Sequence, residues 1–126
     1  MRLKDKVAII TGAGQSEADG MGNGRATALS FARQGAKLML ANRSSPSMDE
    51  TARQVRAEGF AVESMLADIT NEDDCRQLMA ATTQAFGRID ILHNNVGAGT
   101  VEGDTADIDL AAWRQCLEMN LTGPML

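Results

Sequence analysis

The sequence predicts an α/β fold, a doubly wound parallel sheet of about four strands with helices between them. Two observations carry this. Short apolar runs alternate with segments of helical periodicity along the whole chain, giving the order βαβαβαβα. A glycine-rich stretch, with Gly12, Gly14, Gly20, Gly22 and Gly24, lies directly between the first apolar run and the first helical segment. A strand, a glycine turn and a helix start in that order form the entrance of a mononucleotide site. The glycines let the backbone approach a phosphate, and the helix N-terminus offers unpaired N–H groups and a partial positive charge.

The elements follow in order. Val7–Thr11 is a continuous apolar strand. Gly24–Gln34 has Ala28, Leu29, Phe31 and Ala32 on one broad apolar face, and Gly35 stops it. Lys37–Ala41 holds Leu38-Met39-Leu40, a second buried strand. Ser47 or Asp49 is expected to cap a helix that runs to about Glu58, before Gly59. Phe60–Leu66 reads as the third strand. Asn71 is an N-cap candidate, and Glu72, Asp73 and Asp74 place negative charge in the first turn, where it suits the helix dipole. That helix runs to about Phe86 with Gly87 behind it, and Ile89–His93 is the fourth strand. Ala98–Asp107 is loop-like. Asp109 opens a last helix through Leu110, Trp113, Cys116, Leu117 and Leu121.

Parallel strands joined by crossovers bind ligands beyond their carboxyl ends, where strand order reverses. Informative residues fall at all four strand ends: Gly12, then Asn42-Arg43, then Asp68, then Asn94-Asn95. The bulk numbers narrow the class. A chain of 126 residues fits one domain. A net charge of -5 without a Lys/Arg cluster argues against a nucleic-acid partner. No apolar run reaches membrane-spanning length, and no signal-peptide region precedes the first strand, so a cytoplasmic location is expected. Cys75 and Cys116 match no metal spacing and read as free thiols.

Together these positions resemble the short-chain dehydrogenase/reductase family, with its Rossmann-type sheet. The family pattern T-G-x-x-x-G-x-G is met at Thr11-Gly12 and at Gly22-Asn23-Gly24, but nine residues, Ala13 to Met21, stand between Gly12 and Gly22. The stretch looks like the lengthened loop of some family subgroups. The family's Asp after the third strand is matched by Asp68-Ile69, its N-N-A-G by Asn94-Asn95-Val96-Gly97, and its V-N-L-x-G by Met119-Asn120-Leu121-Thr122-Gly123.

The resemblance implies roles. Gly12, Gly22, Asn23 and Gly24 would serve tight turning, phosphate approach and helix–strand packing. Asp68 and Ile69 would meet the adenine, or Asp68 is simply a strand-end turn residue. Asn94 would tie neighbouring strand ends, while Asn95, Val96 and Gly97 would line the ribose and nicotinamide side. Asn42 is uncharged and Arg43 could pair with a 2′-phosphate, which favours NADP over NAD as cofactor; the alternative for Arg43 is a solvated surface side chain. Asn120 would take part in catalysis by holding a water in a proton relay, or would stabilise a helix kink on an otherwise apolar face. His93 reads as a structural histidine. Trp113, Leu117 and Leu121 would form core or subunit-interface surface.

The implied activity is an NAD(P)-dependent oxidoreductase that interconverts an alcohol and a ketone, with a small-molecule alcohol or carbonyl substrate and a homo-oligomeric assembly when complete. The family's catalytic Ser and Tyr-x-x-x-Lys lie beyond the V-N-L-x-G segment, and the chain contains no Tyr. Residues 1–126 are therefore expected to be the NAD(P)-binding half of a longer enzyme, C-terminally incomplete and inactive alone. The rival expectation is a non-catalytic dinucleotide-binding or regulatory module.

Overall fold

The structure, a computed structural model, describes residues 1–14, 21–97, 101 and 103–126. Four strands form one sheet: β1 (Val7–Thr11), β2 (Lys37–Asn42), β3 (Val62–Leu66) and β4 (Ile91–His93). Their order is β3-β2-β1-β4, and every pairing is parallel. The chain therefore winds outward in one direction through β3, then returns past β1 to β4. The point of reversal lies between β1 and β4, where a doubly wound sheet opens its crevice.

Helices cover both faces, so the strands are apolar on both sides. Alternate residues Ala8, Ile10, Leu38 and Leu40 pack against α1 (Asn23–Arg33) and α2 (Ser45–Ala57) through Leu29, Ala32, Met48 and Val55. Ile9, Met39 and Ala41 face the opposite layer, where Leu78 of α3 (Glu72–Phe86) meets them. The period of two along the strands thus splits the core into two layers. Removing a side chain such as Leu78, 2% exposed, should cost about 2–5 kcal/mol.

Several boundaries differ from the expectation, each for a local reason. The second helix is capped at Ser44, not Ser47 or Asp49, because Pro46 fits the first turn with its fixed φ and missing donor. The third strand begins at Val62, since the Phe60 N–H still donates to Val55 O of the helix end. The fourth begins at Ile91. Its predecessor Asp90 clips the sheet differently: the backbone N–H donates to Val7 O at 2.9 Å, and the carboxylate accepts the Val7 N–H at 2.9 Å. The first helix starts at Asn23 with Gly22 as N-cap. The Asn71 cap stands as read, its side chain accepting the Asp74 N–H at 3.0 Å.

The last helical segment is not continuous. Asp109 caps α4 (Leu110–Leu117), accepting from the Ala112 N–H at 3.1 Å. A π-helical turn follows over Glu118–Thr122, then a short α5 (Gly123–Met125). Leu110, Trp113, Leu117 and Leu121 are 41–67% exposed, so the core reading of this face fails in this chain. Cys75 and Cys116 are half-buried thiols that form no disulfide among the described residues. No described helix is long and apolar enough to cross a membrane.

Candidate functional site

A cleft of about 640 Å³ opens at the carboxyl ends of the strands. Its first wall is the turn after β1. Gly12 has φ +63°, a left-handed conformation that L side chains rarely adopt. A Cβ on Gly24 would lie 2.1 Å from the Gly12 carbonyl oxygen, so only a glycine lets the first turn of α1 pack against this loop. Gly22, Asn23 and Gly24 present the N-terminus of α1 to the cleft. The N-cap Gly22 has no side chain to occupy the helix end, and no acidic residue stands in the first turn. The positive end of a helix dipole at that place favours an anion.

The turns after β1 and β4 are tied together. The Thr11 hydroxyl donates to His93 O at 3.3 Å and accepts the Asn95 N–H at 3.1 Å. The Asn95 side-chain amide donates to Gly12 O at 3.1 Å. The structural tie expected of Asn94 is made by Asn95, because Asn94 is exposed while Asn95 turns back over β1. Asn95, Val96 and Gly97 line the cleft beside it. His93 lies against Phe31, with ring centroids 6.3 Å apart, away from the lining.

Asn42 and Arg43 leave β2 at the far rim. Asn42 is half-buried and its amide donates to Ser44 O at 3.3 Å; Arg43 is exposed and makes no ion pair among the described residues. Beyond the neighbouring end of β3, the Asp68 carboxylate accepts the Thr70 hydroxyl at 2.7 Å and the Thr70 N–H at 2.9 Å. Those two bonds, Thr70 hydroxyl first, hold the Asp68 carboxyl below the usual carboxylate range, and the Arg43 charge adds to them. Asp68 is therefore an anion facing the rim that carries Arg43. Ile69 is buried beneath it, packed against Gly123, where an added Cβ would meet the Ile69 side chain at 2.9 Å.

All eleven residues expected at a cofactor site, Gly12, Gly22, Asn23, Gly24, Asn42, Arg43, Asp68, Ile69, Asn95, Val96 and Gly97, line this one cleft. Asn120 does not line it. It is exposed on the π-helical turn, donates to Cys116 O at 2.9 Å, and points Oδ1 at Gly97, whose added Cβ would lie 3.0 Å away. The apolar face expected around Asn120 is open, and a π-turn in place of regular helix is a frequent companion of functional sites. The stretch read as a lengthened loop, with Gly20, falls largely on residues 15–20, outside the described residues.

Sequence reasoning missed part of the lining: Ser44, Pro46, Ser47, Thr70 and Met119. Ser44-Ser45-Pro46 was a legible signal, a serine followed by proline in a helix's first turn. Thr70, two residues after Asp68, was legible as an Asx-turn partner. Met119 is 5% exposed and floors the cleft from the π-turn, for which periodicity carries no signal.

The family model described as short chain dehydrogenase matches residues 6–126. The chain is 42% identical over 113 residues to an uncharacterised oxidoreductase of Mycobacterium tuberculosis, covering 87% of this chain and 40% of that one. It resembles a solved short-chain dehydrogenase/reductase from Burkholderia xenovorans at a TM-score of 0.92 and 44% identity, covering 98% of this chain and 48% of that one. The chain thus spans less than half the length of these relatives. Two further solved structures differ in cofactor: a metagenomic short-chain oxidoreductase in complex with NADP (29% identity, TM-score 0.88, 99% of this chain and 54% of that one) and an NAD+-bound xylitol dehydrogenase (28%, 0.90, 99% and 46%).

Proposed function

The chain belongs to the short-chain dehydrogenase family of oxidoreductases, and on that premise we propose that it is the NAD(P)-binding portion of an enzyme interconverting an alcohol and a ketone. The observation that carries this reading is the convergence of four strand ends on one cleft, where Gly24 packs so close to the Gly12 carbonyl that no side chain fits. Such a cradle fits a pyrophosphate. Gly22, Asn23 and Gly24 would hold it with N–H groups of the α1 N-terminus.

Other residues divide the rest of the dinucleotide between them. Asp68, kept anionic by Thr70, and Ile69 would flank the adenine. Asn95, Val96 and Gly97 would line the ribose and nicotinamide side. The bound nicotinamide supplies the hydride chemistry, and the protein's part is to orient it and exclude water. Asn120 would hold a proton-relay water beside Gly97, a reading supported by the placement of its Oδ1.

NADP is favoured over NAD in this reading. Asn42 brings no negative charge to the rim, and Arg43 is exposed there without an ion-pair partner among the described residues. A guanidinium so placed suits a 2′-phosphate. The stretch between Gly12 and Gly22 is read as a lengthened phosphate-side loop. The exposed Trp113, Leu117 and Leu121 face is read as the subunit contact of a homo-oligomer. Residues 1–126 alone would bind the adenosine half and not turn over.

The test is an absorbance assay of the full-length protein with NADPH or NADH against a panel of small ketones. Oxidation of NADPH that depends on the ketone supports the reading. A folded protein that binds dinucleotide yet reduces no carbonyl and oxidises no alcohol points to the non-catalytic module.

A further inference from the structure

Arg25 follows Gly24 in the first turn of α1 and is only 6% exposed. An arginine near a helix end ordinarily reaches for water. Here Nε donates to Thr51 Oγ1 at 2.9 Å, and an Nη donates to Ser47 O at 2.9 Å. Thr51 is fully buried, and its hydroxyl donates to Ala13 O at 2.8 Å. A hydroxyl has one proton, so the shorter Ala13 contact takes it ahead of Ser47 O at 3.2 Å. One chain of bonds therefore joins α1, the loop after β1 and the first turns of α2.

The loop also interlocks sterically with α2 and with the end of β2. A Cβ on Gly14 would lie 2.0 Å from Ser47 Oγ and 2.7 Å from Asn42 Nδ2. The loop is thus pressed between the end of β2 and α2. In the turn it presses on, Ser44 makes no side-chain cap bond and Pro46 has no N–H. Among the described residues no carboxylate lies within ion-pair distance of Arg25. Its hydrogen-bond acceptors are neutral oxygens, with the Glu50 carboxylate feeling its charge from beyond ion-pair distance, so its bonds are charge-assisted and directional.

We propose that Arg25 is a positioning residue that fixes the cleft rim of Asn42, Arg43 and Ser44 and so sets discrimination at the 2′ position of the bound nucleotide. The proposal rests on the dinucleotide reading above. Neither Arg25 nor Thr51 lines the cleft, so both act through the rim. A lysine cannot replace the fork that reaches Thr51 and Ser47 together.

The test measures, on the full-length protein, calorimetric dissociation constants for 5′-ADP and 2′,5′-ADP, which differ only at the 2′-phosphate. The parent should discriminate by about tenfold or more. Arg25→Met and Thr51→Val should bring the ratio to within about threefold of one, with 5′-ADP affinity nearly kept. Arg25→Lys, which keeps the charge without the fork, should behave like Arg25→Met. Thr51→Val is near-isosteric and carries the test if the Arg25 variants do not fold. An unchanged ratio in the folded variants, even at a lower Tm, shows a purely structural role and overturns the proposal. Equal parent affinity for the two probes overturns it as well. A folded parent that binds neither probe overturns the dinucleotide reading itself, and this inference with it.

Discussion

The Asn95 side-chain amide donates to the Gly12 carbonyl at 3.1 Å and holds the turn after β1 against the turn after β4. Those turns form opposite lips of the crevice at which strand order reverses. Asn95→Ala removes the donor from a partly buried pair, so stability should fall by about 1 kcal/mol. Dinucleotide affinity should fall by about tenfold as the lip loosens, a loss of about 1.4 kcal/mol. Urea unfolding and calorimetry of the full-length variant check both, and unchanged affinity would remove Asn95 from the cradle.

Gly24→Ala sets two effects against each other. In an open helix the exchange stabilises by about 1 kcal/mol. At this site the new methyl meets the Gly12 carbonyl oxygen at 2.1 Å, backbone against backbone, with no flexible side chain to yield. Overpacking of that kind costs about 1–3 kcal/mol or more, and the clash should win. The variant should unfold at lower urea and lose dinucleotide binding; a raised midpoint would show that the loop moves freely away from α1.

Much of this was legible in advance. The alternation of apolar runs and helical periods gave the parallel sheet because both faces of every inner strand are covered, leaving continuous apolar runs such as Val7–Thr11. The cleft residues were legible because strand ends in such a sheet converge. What escaped reading depends on the third dimension. Nothing in the sequence marks Arg25 as buried, and it is the approach of Thr51 and Ser47 that buries it. The tie was expected at Asn94, since adjacent asparagines are alike in sequence and only the bend after His93 decides which turns inward. The Leu110, Trp113, Leu117 and Leu121 face has core periodicity, yet nothing in the described chain covers it.

Asp90 makes stability depend on pH. Its carboxylate accepts from Arg88 and from the Val7 N–H, and these bonds, Arg88 first, hold its pKa below the usual carboxylate value of 3.8. A depressed folded pKa gives stability that is fully present above the unfolded pKa and is lost as pH falls through the folded one. Asp90→Ala should therefore destabilise the protein at pH 7, and the gap to the parent should narrow steadily below about pH 4. Urea midpoints across that range measure it; a gap that stays constant would mean that the carboxylate charge contributes nothing.

Arg43→Ala should weaken NADPH binding by about tenfold, the cost of one charge-assisted pair, and leave NADH nearly unaffected. Fluorescence titration with both cofactors distinguishes this from a solvated side chain, for which neither affinity changes. Tighter NADH binding by the parent, indifferent to Arg43→Ala, would reverse the cofactor preference.

The most direct measurement is equilibrium binding of NADPH and NADH to the full-length protein and to its Gly24→Val variant, with folding of each verified by circular dichroism. The account predicts saturable binding by the parent in the micromolar range and at least about a hundredfold loss where valine fills the space between α1 and the Gly12 carbonyl. A folded parent that binds neither dinucleotide, or a folded variant that binds as tightly as the parent, would contradict the assignment of this cleft to a dinucleotide.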